Sequence, residues 1–81
     1  MQPEYISVIG GSRCRAADYA LAEEVGRLVA REGATLICGG LSGVMEAAAR
    51  GAKEAGGTTI GILSGHDRSV GNPYLDHVLT T

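Results

Sequence analysis

Three short apolar runs, each followed by glycine or a polar turn, constrain the fold of this chain more than any other feature. Residues 5–9, 34–38 and 58–63 are rich in Ile, Val and Thr, which is typical of strands. Helical periodicity fills the two intervals between them, at residues 16–32 and 44–55, and glycine follows each helical segment. Strands that alternate with helices in this way predict a parallel sheet with right-handed crossovers.

These elements predict an α/β fold class, a Rossmann-like three-layer α/β/α arrangement with a parallel sheet, in the order β-α-β-α-β-loop-β. Residues 64–73 are the polar loop, and residues 74–79 indicate a fourth strand. The ligand crevice of such a sheet lies where the strand order reverses, and the chain ends at Thr81 before a helix follows strand four. We therefore expect residues 1–81 to be the N-terminal part of a single Rossmann-like nucleotide-binding domain, truncated after that strand.

Both helical segments are amphipathic, and periodicity predicts which side of each packs inward. The apolar face of the first segment consists of Ala17, Leu21, Val25, Leu28 and Val29. The second segment has a face of small residues, which allows a helix to approach a sheet closely: Val44, Ala48, Gly51, Ala52 and Ala55.

The composition excludes several classes of function. Hydrophobic residues make up 44% of the chain and aromatic residues only 4%, so the core is built from Ile, Val, Leu and Ala. A net charge of −2 lacks the basic field of a nucleic-acid-binding protein. The sequence contains neither an apolar run of about 18 residues nor a signal peptide, so we expect no membrane partner and a cytoplasmic location. So small a core predicts a homodimer or a higher homo-oligomer.

The turn at residues 39–43, between the second strand and the second helix, is the strongest candidate site. Gly39, Gly40 and Gly43 let backbone N–H groups approach a ligand closely, and Ser42 adds a hydroxyl. The N-terminus of the helix that follows carries a partial positive charge. This combination favours a phosphate or a carboxylate, whereas the alternative is a tight turn without a ligand.

Two residues in the first turn of the second helix have alternative roles. Glu46 satisfies the helix dipole by itself, or it accepts hydrogen bonds from a ribose hydroxyl or a base amine. Met45 belongs to the core, or it lies under a bound base.

A second glycine turn follows the first strand and contains Gly10, Gly11, Ser12 and Arg13. Ser12 either donates to a phosphate or caps the first helix, and Arg13 either pairs with an anion or is solvated. The spacing does not match G-x-G-x-x-G, and no acidic residue ends the second strand, so a dinucleotide fingerprint is excluded.

The remaining reactive side chains predict neither catalysis nor a metal site. Cys14 lacks an evident base, and Cys38 ends an apolar strand, where we expect a buried thiol. The other candidates match no standard metal spacing: His66, Asp67, Asp76 and His77.

Four segments taken together resemble one known family. They are residues 6–12 (ISVIGGS), 36–47 (LICGGLSGVMEA), 51–57 (GAKEAGG) and 60–63 (IGIL). The series is similar to the LOG (Lonely Guy) family, also labelled lysine decarboxylase-like, and within it to the branch of molybdenum cofactor carrier proteins.

The resemblance implies a Rossmann-like fold, usually dimeric, that binds nucleotides or pterin-type phosphates. It implies that one wall of a nucleotide site is formed by Gly10, Gly11, Ser12, Gly39, Gly40, Gly43 and Met45. LOG enzymes cleave nucleoside 5′-monophosphates with a P-G-G-x-G-T-x-x-E motif that these residues do not contain, and Glu46 stands where many of them have Gly.

Three functions follow as expectations. The first is binding of a nucleoside monophosphate or a molybdopterin-like cofactor, without a catalytic residue in this chain. The second is a phosphoribohydrolase whose catalytic half lies elsewhere, and the third is a self-associating structural module.

Overall fold

The sheet of this protein has four parallel strands, and the computed structural model describes residues 4–65 and 67–81. The strands are β1 (Tyr5–Val8), β2 (Thr35–Cys38), β3 (Thr59–Leu63) and β4 (His77–Thr80). Two helices connect the first three strands, α1 (Ala16–Arg31) and α2 (Val44–Glu54), and a short 3₁₀ helix, Arg68–Val70, lies between β3 and β4. The Rossmann-like α/β fold with a parallel sheet is confirmed.

The sheet order is β1-β2-β3-β4, so each crossover moves in the same direction across the sheet. Right-handed crossovers then place α1 and α2 on the same face. Within residues 4–65 and 67–81 the fold therefore has two of the three predicted layers, one of helices and one sheet. The other face of the sheet carries Ile62 and Leu79, which are exposed.

The two helices cross at very short distance because glycines face the partner helix at the crossing. A side chain on Gly26 of α1 would overlap the carbonyl group of Ala48, and one on Gly51 of α2 would overlap the carbonyl group of Glu23. The small-residue face predicted for α2 is buried at Ala48, Gly51 and Ala52. Close packing of these backbones replaces the bulky core that such a short chain lacks.

The inward face predicted for α1 is largely wrong. Leu21, Val25 and Leu28 are 67%, 45% and 50% exposed, whereas Val29 is buried as predicted. The helix instead buries Ala22, Gly26 and Val29. The reason is steric, since the narrow crossing with α2 admits only the small-residue side of α1 and leaves the larger aliphatic side chains outside.

A polar clamp fixes the start of β4 beside the start of β3. The backbone N–H of Thr59 donates to the Asp76 carboxylate over 2.8 Å, and Lys53 Nζ donates to the same group over 2.7 Å. Burial alone would raise the pKa of Asp76, but the Lys53 and Thr59 hydrogen bonds together outweigh it and hold that pKa below its ordinary value. Asp76 is thus a structural residue of the β3–β4 connection.

The sequence predicts neither a membrane-spanning segment nor a metal site. Across residues 4–65 and 67–81, the helices are too short or too polar to cross a membrane. The same ranges contain no cluster of three or more potential metal-ligating side chains, and His66, one of the candidates, lies outside the described residues.

Candidate functional site

The two glycine turns predicted from the sequence pack directly against each other. The N–H of Val44, the first residue of α2, donates to the carbonyl oxygen of Gly11 over 3.0 Å. The Ser42 hydroxyl donates to the carbonyl oxygen of Ser12 over 2.8 Å. Gly43 has a φ of 71°, and a side chain there would overlap Gly11 and Ser12. The β1–α1 turn therefore lies across the N-terminus of α2, and part of that N-terminus is capped by protein carbonyl groups.

The β3–β4 loop forms the third part of the same edge. The N–H of Asn72 donates to the carbonyl oxygen of Gly40 over 2.8 Å, and Asn72 Nδ2 donates to that of Leu41 over 2.9 Å. Asn72 is only 9% exposed. This buried amide fixes the loop on the glycine turn at the carboxyl ends of the strands, where parallel sheets bind ligands.

An apolar cavity of about 320 Å³ opens on one side of this edge. Its lining includes Val8, Ile9, Gly10, Cys38, Gly39, Met45 and Ile62. The space beside Gly39 is occupied by the Met45 sulfur, because a side chain on Gly39 would meet Met45 Sδ at 2.5 Å. A flexible thioether at this place suits a flat apolar ring.

A polar cavity of about 360 Å³ opens on the other side of the glycine turn. It is lined by Ser12, Leu41, Ser42, Glu46, Val70, Gly71, Asn72 and Pro73. The predicted site residues therefore divide between two cavities. Gly10, Gly39 and Met45 line the apolar one, and Ser12, Ser42 and Glu46 line the polar one.

The remaining predicted site residues line neither cavity. Gly40 is buried with a φ of 83°, and a side chain there would contact Leu63 at 2.8 Å. Gly11 and Gly43 join the two turns. Arg13 is exposed to solvent beside them. Their part in ligand binding stays a prediction.

Glu46 is held by a residue that the sequence analysis missed. The Tyr19 hydroxyl of α1 donates to Glu46 Oε2 over 3.0 Å. Burial and the neighbouring Glu46 raise the pKa of Tyr19, and the nearby Arg50 offsets part of that rise. The pKa is therefore above its ordinary value, and the phenol stays a protonated donor. Arg50 itself pairs with Glu23, with 3.1 Å between Nε and Oε2. The periodicity of α1 gave no signal for Tyr19, because its partner is 27 residues away.

Both cysteines are free thiols with different environments. Cys14 is exposed, and Cys38 is buried as predicted. Burial raises the pKa of the Cys38 thiol, and a backbone hydrogen bond from Gly40 offsets part of that rise. Cys38 is therefore a neutral, apolar part of the cavity wall.

The structure is a Rossmann-like α/β fold with two cavities at the carboxyl ends of its strands. The model of the SLOG cluster4 family matches residues 3–81. The chain belongs to that family, which confirms the resemblance to LOG-type proteins.

Known proteins similar to this chain include two whose structures are solved. The molybdenum cofactor binding protein of Rippkaea orientalis is 37% identical, with a TM-score of 0.93, and the match covers 100% of this chain and 51% of that one. The molybdenum cofactor carrier protein of Chlamydomonas reinhardtii is 36% identical, with a TM-score of 0.84, over 100% of this chain and 50% of that one.

A curated relative from Archaeoglobus fulgidus, an uncharacterized protein, is 52% identical over 76 residues. That match covers 94% of this chain and 50% of the relative. The chain thus spans about half the length of the proteins it matches.

Proposed function

We propose that this chain binds a small phosphorylated ligand with a heterocyclic ring, either a nucleoside monophosphate or a molybdopterin-like cofactor. The observation that carries the proposal is the pair of cavities, one apolar and one polar, on either side of the first turn of α2. A ring with an apolar surface and polar edges needs both kinds of wall. Arg13, which is exposed on the turn beside them, is the donor proposed for the phosphate.

The names of two similar proteins of known structure also support this proposal. Two proteins with the same fold over this length have names that refer to the molybdenum cofactor. Since they are twice as long, the ligand affinity of a whole protein of this kind includes residues beyond the matched half. We therefore expect this chain to bind such a ligand more weakly than a full-length relative does.

Isothermal titration calorimetry with AMP, GMP and molybdopterin tests the proposal. Gly39→Ala is the informative variant, because its added methyl group would displace the Met45 side chain, which lines the apolar cavity. We expect it to weaken binding by about tenfold, roughly the value of one or two methyl groups of lost apolar contact. Leu79→Ala, at an exposed position outside both cavities, is the matched control.

Two results would contradict this function. The first is no binding of any of the three ligands at millimolar concentration. The second is release of free adenine from AMP by the purified chain, which would instead favour the phosphoribohydrolase alternative. Glu46 is the one acidic candidate for that chemistry, and Tyr19 already engages it.

We further propose that the protein is a cytoplasmic homo-oligomer. Leu21, Val25 and Leu28 form an exposed apolar stripe along α1, and contiguous apolar surface of this kind marks contact sites. Sedimentation of the wild type and of Leu21→Lys tests this, since the variant should shift the protein towards the monomer. A wild type that sediments as a monomer at 100-fold dilution and at stock concentration alike would exclude oligomerisation.

A further inference from the structure

The polar cavity has the chemistry of a site for hydrogen-bond donors, not for a phosphate. We infer that it selects a ring edge with an N–H beside an exocyclic amino group, as in guanine or a pterin. The inference rests on the proposed function, because it assigns one part of the same ligand to one of the two cavities.

The Glu46 carboxylate is the main evidence for this assignment. Its Oε2 accepts the Tyr19 hydroxyl, which is the one protein hydrogen bond to this group within residues 4–65 and 67–81. A carboxylate has about four lone-pair sites and donates nothing when ionised. Glu46 lines the polar cavity and so presents spare acceptor capacity to whatever enters it.

Three donors near Glu46 are already directed at protein carbonyl groups. The Ser42 hydroxyl donates to Ser12, and Asn72 Nδ2 donates to Leu41. The N–H of Val44, the first of α2, donates to Gly11. A phosphate in this cavity would meet the Glu46 carboxylate, whose charge has the same sign, and this repulsion is unfavourable. An N–H edge of a neutral ring meets acceptors instead.

Tyr19 acts as a positioning residue for this recognition. Its hydroxyl ties the Glu46 carboxylate to α1, so the carboxylate is fixed before the ligand arrives. The Arg50 guanidinium pairs with Glu23 and lies 6.0 Å from the centre of the Tyr74 ring. Arg50 also adjoins the Tyr19 hydroxyl, so the cation, the phenol and the Glu46 carboxylate form one network in which Tyr19 is the direct partner of Glu46.

Calorimetric titration of the full chain with GMP, IMP, AMP and pterin tests the inference. GMP and pterin present a ring N–H with an adjacent amino group, IMP presents only the ring N–H, and AMP presents an acceptor at that ring position. We expect GMP to bind about tenfold more tightly than IMP, the discrimination of one hydrogen bond to a charged group. Glu46→Gln should reduce this GMP/IMP ratio to about one, and Tyr19→Phe should reduce it part of the way.

Glu32→Gln is the matched control, because it neutralises an exposed carboxylate at the end of α1 that lies outside both cavities. It should leave the GMP/IMP ratio unchanged. Circular dichroism shows whether each variant is folded, and AMP serves as a ligand whose binding does not depend on the donor edge.

The outcomes separate this inference from the proposed function. Equal affinity of the wild type for GMP, IMP and AMP would overturn the inference and leave the function standing. The inference also fails if Glu46→Gln strengthens GMP binding much more than guanosine binding, since the cavity then holds the phosphate. Failure of every probe to bind, and of molybdopterin as well, overturns both.

Discussion

The helix crossing makes the substitution Gly26→Ala a sharp test of how this protein is held together. In an exposed helix interior, replacing Gly by Ala stabilises by about 1 kcal/mol. At Gly26 the added Cβ would overlap the carbonyl group of Ala48, far inside the 3.0 Å that real Cβ atoms keep. The overlapping atoms belong to a backbone, so no side-chain rotation relieves the contact.

The expected loss of stability follows from the distance by which the added methyl group separates the two helices. The helices must move apart by roughly 1 Å, and a gap of that size removes about a quarter to a half of each dispersion contact along the interface. Overpacking of this kind typically costs about 1–3 kcal/mol, and more where the neighbour is rigid. The gain in helix propensity offsets part of this cost, so we expect the free energy of unfolding to fall by about 2 kcal/mol. That is a large share of the roughly 4–12 kcal/mol by which a domain of this size is stable.

Urea denaturation followed by circular dichroism measures this loss, with Ala20→Gly as the control for helix propensity. Ala20 is exposed on the same helix, so its replacement should cost only about 1 kcal/mol. Gly51→Ala, on the opposite side of the crossing, should resemble Gly26→Ala, and the double variant should cost less than the sum because both substitutions open one contact. A Gly26→Ala variant as stable as the wild type would refute the reasoning.

Three further predictions concern the elements around the site. Gly43→Ala should lose about 2 kcal/mol or more in urea denaturation, because its φ is 71° and its side chain would overlap Gly11; an unchanged midpoint would contradict this. Asn72→Ala should cost about 1–3 kcal/mol and speed hydrogen exchange at the Tyr74 amide, which donates to the Asn72 side chain; unchanged exchange would count against it. The pKa of Asp76 is lower in the folded state than in the unfolded state, so its contribution is present above about pH 4 and is lost as the pH falls through the folded pKa. The stability difference between wild type and Asp76→Asn should therefore shrink from pH 6 to pH 2, and a constant difference would disprove it.

The secondary structure was predictable because local patterns carry it. The strands predicted at residues 5–9, 34–38 and 58–63 each match an observed strand to within one residue at either end. Strand β4 begins at His77, three residues later than predicted. The cause is a turn in which the Tyr74 N–H donates to the Asn72 side chain, so the chain becomes extended only after the clamp at Asp76.

The candidate site was predictable as a location but not as a set of contacts. The turn at residues 39–43 was recognised because three glycines in five residues at the carboxyl end of a strand favour a ligand site over a tight turn. Their division into an apolar cavity with Met45 and a polar cavity with Glu46 depends on how α2 is rotated. Tyr19 and Asn72 join the site through hydrogen bonds across 27 and 31 residues, and no sequence spacing signals such pairs.

The sequence by itself determined the order of strands and helices and the edge of the sheet that carries the candidate site, because periodicity and glycine placement act over a few residues. Only the tertiary structure decided which face of α1 is buried. Hydrophobicity favoured Leu21 and Leu28, but the short crossing at Gly26 and Gly51 admits only small side chains. Steric fit between two helices depends on both surfaces at once, and a pattern read along one helix contains only half of that information.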